Sequence, residues 1–211
     1  MKWHEAESDP ELLELWVADM DFLPVPEIRD AVINYAETHI FGYPYPSDEL
    51  YQSIIDWEKN QHGYSVDKAS IVLIEGVVPA ISTAIQSFTK EDDAVLINTP
   101  VYPSFARSVR LNNRKLIENS LVKVNGHFEI DFEQLERDIV DNDVKLYVFC
   151  SPHNPGGRVW TKEELTMVAD LCQKHGVLLV SDEIHQDLAL YGNKHISLNT
   201  ISNAYKDCLL Y

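Results

Sequence analysis

Apolar and polar positions change their spacing along this chain, and the change marks out its elements. After Pro24 and Pro26, apolar residues recur at Ile28, Ala31, Val32 and Tyr35, the spacing of one face of a helix over Glu27 to Thr38. Phe41-Gly42-Tyr43-Pro44-Tyr45-Pro46 reads as a loop. Ser47 followed by Leu50, Ile54, Ile55 and Trp57 predicts a capped amphipathic helix running towards His62-Gly63. Downstream come short apolar runs separated by helical stretches. Ile71–Ile74, Ala94–Ile97, Lys145–Cys150 and Val177–Val180 are strand candidates, and Cys208–Tyr211 reads as the start of one more. Helices are expected around Ala80–Phe88, Tyr102–Leu111 and Thr161–His175, the last opened by a capping box of Thr161 and Glu164. Apolar strands alternating with helices predict an α/β domain, its mostly parallel sheet covered by helices on both faces. A strand pattern that stops at the last residue predicts a domain cut off at its C-terminal end; an edge strand is the alternative.

Composition narrows the function. The 211 residues allow one to two domains, and 45% hydrophobic with 24% charged residues excludes disordered and fibrous chains. Seventeen Lys and Arg against thirty-four Asp and Glu give a net charge of −17, which repels phosphate backbones and argues against nucleic acid as a partner. Cys150, Cys172 and Cys208 are odd in number and lack CxxC spacing, so neither a disulfide framework nor a metal site is expected, and a reducing cytoplasm fits. No apolar run approaches about 18–20 residues, and Met1-Lys2-Trp3-His4-Glu5 does not open a signal sequence, so no membrane association is expected.

Ligands of a parallel sheet gather at the carboxyl ends of its strands, and the residues just after these strands are polar. Glu75-Gly76-Val77-Val78 opens a helix whose free N–H groups suit a phosphate, although one glycine here also makes an ordinary turn. Tyr102 follows the Ala94–Ile97 strand as a stacking platform or as packing. Asn154 stands between Pro152 and Pro155 after Cys150, either aimed at a ligand or forming a turn. Asp182 closes an apolar strand, where burial demands a cation or several donors; the alternative is an N-cap for a following helix.

Ser151-Pro152-His153-Asn154-Pro155-Gly156-Gly157-Arg158-Val159-Trp160 and Val180-Ser181-Asp182-Glu183-Ile184-His185, preceded by Trp16-Val17-Ala18-Asp19-Met20-Asp21-Phe22, resemble the pyridoxal-phosphate enzymes of aspartate-aminotransferase fold. Within them the chain is similar to the cystathionine β-lyase (MalY/PatB) branch of the class I/II aminotransferases. The resemblance covers nearly all of the sequence. It implies a pyridoxal 5'-phosphate cofactor, with Asp182 on the pyridine nitrogen and Asn154 on the 3-hydroxyl oxygen. Tyr102 would stack on the ring, and Gly76, Val77 and Val78 would surround the phosphate. Tyr43 would reach the phosphate of a neighbouring subunit, implying a homodimer. His185 would lie near the 3-hydroxyl or support the residues that do, and the Ala18 and Asp19 backbone would lie near the substrate carboxylate. Residues 1–35 would contribute to a small domain and to dimer contacts, and residues 36–211 would form an incomplete cofactor-binding large domain. The Schiff-base lysine of the family is expected beyond Tyr211, since Lys206 precedes the last strand and reads as a surface residue. The substrate-gripping arginine belongs to a C-terminal domain, and a short N-terminal stretch of the family is also lacking. The resemblance thus implies the N-terminal half of a carbon–sulfur β-lyase acting on amino acids as small-molecule substrates, inactive by itself. An aminotransferase and a non-catalytic remnant or regulatory protein are the alternatives. A generic nucleotide-binding protein comes last, since neither GxGxxG nor GxxxxGK[ST] is present.

Overall fold

Proline fixes where the first helix begins. Pro26 occupies the first turn of α1 (Pro26–Thr38), where a missing N–H leaves no bond unmade, and Glu27 complements the helix dipole. The computed structural model describes residues 2–4, 7–9, 11–14 and 18–201 and the backbone of 209–210. Contacts divide the chain into two units, residues 1–46 and 47–211. In the first, α1 buries none of its residues, and Tyr35 stacks on His39 with ring centroids 4.4 Å apart. Ahead of α1 the Lys2 ammonium donates to the Asp19 carbonyl at 2.6 Å and pairs with the Asp21 carboxylate at 2.9 Å.

The second unit opens with α2 (Asp48–Trp57), capped as expected by the Ser47 hydroxyl, which accepts from the Leu50 N–H at 3.3 Å. A π-helical turn, Glu58–His62, extends it to Gly63, whose φ of 68° suits a residue without a Cβ. Next come α3 (Val77–Phe88), β1 (Ala94–Thr99), α4 (Ser104–Leu111) and β2 (Lys115–Ser120). A small antiparallel hairpin, β3 (Val122–Val124) with β4 (His127–Glu129), leads into α5 (Phe132–Asp141). The chain continues through β5 (Val144–Cys150), α6 (Lys162–His175), β6 (Leu178–Asp182) and β7 (Leu209–Leu210). Five strands pair in the order β2-β1-β5-β6-β7, every pair parallel. No helix among the described residues is long and apolar enough to cross a membrane.

Alternation along the strands feeds two cores. Leu96, Tyr147, Phe149 and Leu179 pack with Leu135 and Ile139 of α5 and Leu165, Val168 and Cys172 of α6. Their strand neighbours Val95, Ile97, Leu146, Val148 and Val180 pack on the other face with Ile81 and Ile85 of α3 and Phe105 and Val109 of α4. Helices therefore cover both faces, and the strands read as continuous apolar runs because neither side meets water. A bulge between β1 and β5 leaves Lys145 without a register partner, and its ammonium turns to Asp143 at 2.5 Å. Polar side chains also cross the sheet. The Tyr147 hydroxyl donates to Asn98, the Asn98 amide to Asn119 at 3.0 Å, and the Asn119 amide to Asp138 on α5 at 2.8 Å, so three adjacent strands share one satisfied chain.

Several expected elements differ. Ile71–Ile74 is extended but is not a strand: none of the described strands lies alongside to supply ladder bonds, and Val72 is exposed. β2 and α5 were not anticipated, because the Glu118-Asn119-Ser120 half of β2 is polar and α5 buries only Leu135 and Ile139. The Thr161–Glu164 capping box forms as expected. The expected strand at Cys208–Tyr211 is present at Leu209–Leu210, and Cys208 and Tyr211 lie outside the described residues.

Leu96 is fully buried at the centre of the sheet. Leu96→Ala is expected to destabilise the fold by about 2–5 kcal/mol in urea unfolding, against a change within about 0.5 kcal/mol for exposed Val140→Ala. A Leu96→Ala loss no larger than that of Val140→Ala would contradict this account of the core.

Candidate functional site

Strand order reverses at β1, which has β2 on one side and β5 on the other, and in such sheets the crevice for a ligand opens beyond the strand ends at the reversal. Two backbone-directed hydrogen bonds close this crevice from the β1 and β5 sides. The Tyr102 N–H donates to the Asn154 carbonyl at 3.1 Å, and His153 Nε2 lies 2.8 Å from the Pro100 carbonyl. A carbonyl only accepts, so Nε2 carries the hydrogen. Burial holds the His153 imidazole below its ordinary value and keeps it neutral.

The loop after β5 is shaped around Asn154. Asn154 N–H reaches the Cys150 sulfur at 3.4 Å, and His153 and Arg158 exchange backbone contacts across the turn, with the His153 N–H donating to the Arg158 carbonyl at 2.8 Å. Gly156 is required here, since a Cβ would lie 2.7 Å from His153 Cδ2 and 3.2 Å from Phe128 Cδ2. Arg158 pins the base of the loop, pairing with Glu164 at 2.6 Å and lying over the Trp160 ring at 4.7 Å. The Asn154 side-chain amide takes no hydrogen bond among the described residues, which leaves it available to a ligand. Cys150 is not a nucleophile: burial pushes its thiol up to about 12. His153 and Arg158 were assigned no role from sequence; the Gly156-Gly157 pair between them was the signal of a turn closing on a side chain.

Asp182 ends β6 and does not cap an α-helix. Its Oδ1 accepts from the Ile184 N–H at 3.1 Å in a local turn, and its own carbonyl accepts from the Ser151 N–H at 2.9 Å, continuing the β5–β6 ladder. The side chain is 5% exposed. Burial raises its carboxyl above the ordinary value, opposed by the Ile184 N–H and the nearby His185 imidazole and reinforced by the Glu183 charge. Among the described residues no Lys or Arg pairs with it, and Oδ2 takes no hydrogen bond. Such a carboxylate suits a ligand that brings a protonated nitrogen.

Tyr102 is half-exposed, its ring held edge-on by Phe105 with centroids 6.4 Å apart. It precedes α4, which begins at Ser104. Gly76 caps α3 with φ 122°, no side chain caps that helix, and the N–H groups of Val77 and Val78 lie in its first turn. A cleft of about 380 Å³ is lined by Asn154, Pro155 and Val159 on one side and by His185, Leu188, Tyr191 and Asn193 from the loop after β6 on the other. Sequence-predicted residues Tyr102 and Asn154 are thus joined directly, and Asn154 and His185 share the cleft. Ala18, Asp19 and Tyr43 belong to the 1–46 unit, where all three are exposed and the Asp19 carbonyl holds Lys2. Trp16 and Val17 lie outside the described residues.

A family model described as aminotransferase class I and II matches residues 10–210. Cystathionine beta-lyase PatB of Bacillus subtilis (strain 168) is 42% identical over 195 residues, covering 92% of this chain and 50% of that protein. Protein MalY of Escherichia coli (strain K12) is 33% identical over 193 residues, covering 91% of this chain and 50% of that protein. The crystal structure of cystalysin from Treponema denticola, which contains a pyridoxal 5'-phosphate cofactor, superposes with a TM-score of 0.93 at 36% identity, covering all of this chain and 55% of that one. The chain spans about half the length of the curated relatives it matches.

Folding raises the Asp182 carboxyl above its ordinary value of 3.8, so the native chain binds this proton more tightly than the unfolded chain. The ionised carboxylate then opposes folding; that penalty is absent below 3.8 and fully present above the raised native value. Asp182→Asn is expected to unfold at higher urea concentration at pH 7, by about 0.5–2 kcal/mol, with the gap closing as pH falls towards 3.8. Equal stability of the two proteins at pH 7 would show that the carboxylate is already neutralised.

Proposed function

This chain belongs to the aminotransferase class I and II family, and from that premise we propose that it forms the cofactor-binding portion of a pyridoxal-phosphate-dependent carbon–sulfur β-lyase. The observation that carries the reading is Asp182: a buried carboxylate at a strand end with a raised proton affinity, one free oxygen and no Lys or Arg partner among the described residues. The other groups fit the same cofactor. Its phosphate suits the Gly76–Val78 helix start, and its aromatic ring suits the half-exposed face of Tyr102. The unoccupied Asn154 amide is a donor suited to a phenolic oxygen.

When bound, pyridoxal phosphate supplies an electron sink for the pair released at the α-carbon of an amino acid. The chain's own residues set the conditions for that chemistry. Asp182 holds a proton on the ring nitrogen by accepting its hydrogen bond, and the low-polarity surroundings strengthen that bond. Asn154 donates to the ring oxygen, with its backbone fixed by Tyr102 and Cys150. His185, on the cleft wall, stands beside Asp182 and adds a second polar group. Backbone groups of Ala18 and Asp19 would face the substrate carboxylate, and Tyr43 would reach a neighbouring subunit's phosphate in a homodimer, with residues 1–35 contributing dimer and small-domain contacts. The substrate is an amino acid whose β-carbon carries a thiolate leaving group, such as cystathionine or a cysteine S-conjugate, and the setting is the cytoplasm.

The 211-residue chain is expected to bind pyridoxal phosphate in an absorbance or fluorescence titration, with Asp182→Asn weakening the affinity about tenfold or more. No saturable binding would favour a remnant that keeps the fold without the cofactor. The 211 residues alone are expected to release no pyruvate from cystathionine. A polypeptide extended beyond Tyr211 to the length of its relatives is expected to release it without an added keto acid; turnover that requires a keto acid would replace the lyase with an aminotransferase.

A further inference from the structure

Beside the cofactor-facing carboxylate lies a second buried acid that none of the chemistry above uses. Glu183 is 4% exposed, and both of its oxygens are occupied. Oε1 accepts from the Ser181 hydroxyl at 3.0 Å and from the Leu198 N–H at 3.1 Å, while Oε2 faces His195 Nε2 at 2.9 Å. Ser181 belongs to β6, whereas His195 and Leu198 stand at the far end of the loop that leaves it. One carboxylate therefore ties the two ends of a loop whose regular structure is limited to short 3₁₀ turns at Gln186–Leu188 and Leu198–Thr200. That loop carries His185 and, beyond it, Leu188, Tyr191 and Asn193 of the cleft wall.

The middle of the loop has little burial to hold it, since Leu188, Leu190 and Tyr191 are exposed. Its remaining ties run to α2 and the turn after it. Asp187 accepts from Trp57 Nε1 at 3.2 Å and lies 2.7 Å from His62 Nε2, and the Gln186 amide donates to Glu58 at 2.8 Å. The His62 ring in turn meets the His195 ring edge-on with centroids 5.9 Å apart, so the outer ties converge on the same His195 that Glu183 holds.

We propose that Glu183 is the positioning residue of this site: by clamping β6 to His195 and Leu198 it holds His185 and the cleft wall against Asp182. This role rests on the reading of Asp182 and His185 as cofactor-facing groups. A second consequence follows from charge. The Glu183 carboxylate lies next to Asp182 and makes a cationic ligand group there more favourable than Asp182 would alone.

The test combines amide hydrogen exchange with a pyridoxal phosphate titration of the full 211-residue chain. Glu183→Ala is expected to lose protection across 186–198 while β1 and β5 keep theirs. A loop that spends about a tenth of its time in the binding arrangement raises the apparent Kd about tenfold. Glu183→Gln keeps an acceptor for Ser181 and Leu198, and His195 can meet its amide by changing tautomer, so this variant is expected to restore most of both readouts. Should Glu183→Ala also lose β1 and β5 protection, His195→Asn, which removes the Oε2 partner and the His62 ring contact but leaves the Ser181 and Leu198 bonds to Glu183, carries the same two expectations. An unchanged loop, a loosened loop with unchanged affinity, or no rescue by Glu183→Gln overturns the proposal. If the unsubstituted chain has no affinity for pyridoxal phosphate, the cofactor reading fails separately, and exchange alone decides the clamp: loosening in Glu183→Ala with recovery in Glu183→Gln supports it, and a loop that stays protected or is not rescued overturns it.

Discussion

A parallel sheet covered on both faces confines polar chemistry to its strand ends, because any polar group placed between the sheet and a helix must find its partners inside the protein. This chain follows that constraint closely. Leu146, Tyr147, Val148 and Phe149 are buried in succession, and the first residues beyond β5 form the polar turn that carries Asn154. The Asn98–Asn119–Tyr147 chain is an exception within the sheet, and it is tolerated because its members satisfy one another across three strands.

The site is built by joining strand ends that are distant in sequence. His153 reaches the Pro100 carbonyl 53 positions earlier, and Tyr102 bonds Asn154 through the backbone, so neither loop can shift without the other. These bonds use neutral or backbone groups. The two acids differ in their partners: Glu183 is fully occupied by protein donors, whereas Asp182 Oδ2 takes no hydrogen bond among the described residues. Two adjacent buried carboxylates would be mutually destabilising were both left unpaired, and the donors gathered on Glu183 relieve one of the two.

A buried carboxylate with one oxygen that takes no hydrogen bond among the described residues is a cost to the fold, and a cationic group brought to that oxygen would offset it. The uncapped start of α3 is the complementary case: no side chain serves its free N–H groups, and an anion brought there would satisfy them. Both features sit at the ends of elements anchored in the same core, through Val180 of β6 and Ile81 and Ile85 of α3.

The sequence by itself determined the architecture and the positions of the polar strand ends. Apolar runs such as Ala94–Ile97 and Leu146–Cys150 specify strands because only a doubly covered sheet can bury every side chain of such a run. The Thr161–Glu164 box was equally readable because capping is a local bond between residues three apart. Tertiary structure alone decided the rest. Ile71–Ile74 has a strand's composition, but no described strand runs beside it to supply ladder bonds, and β2 emerged from a half-polar segment because β1 offered it an edge. Asp182 could be read as a cap or as a ligand-facing acid from sequence; in the fold its carboxylate closes a local turn on Ile184, and a 3₁₀ turn at Gln186–Leu188 follows where a capped α-helix would have begun. The roles of His153 and Glu183 depend on partners 53 and 12 to 15 positions away, contacts that no local pattern encodes.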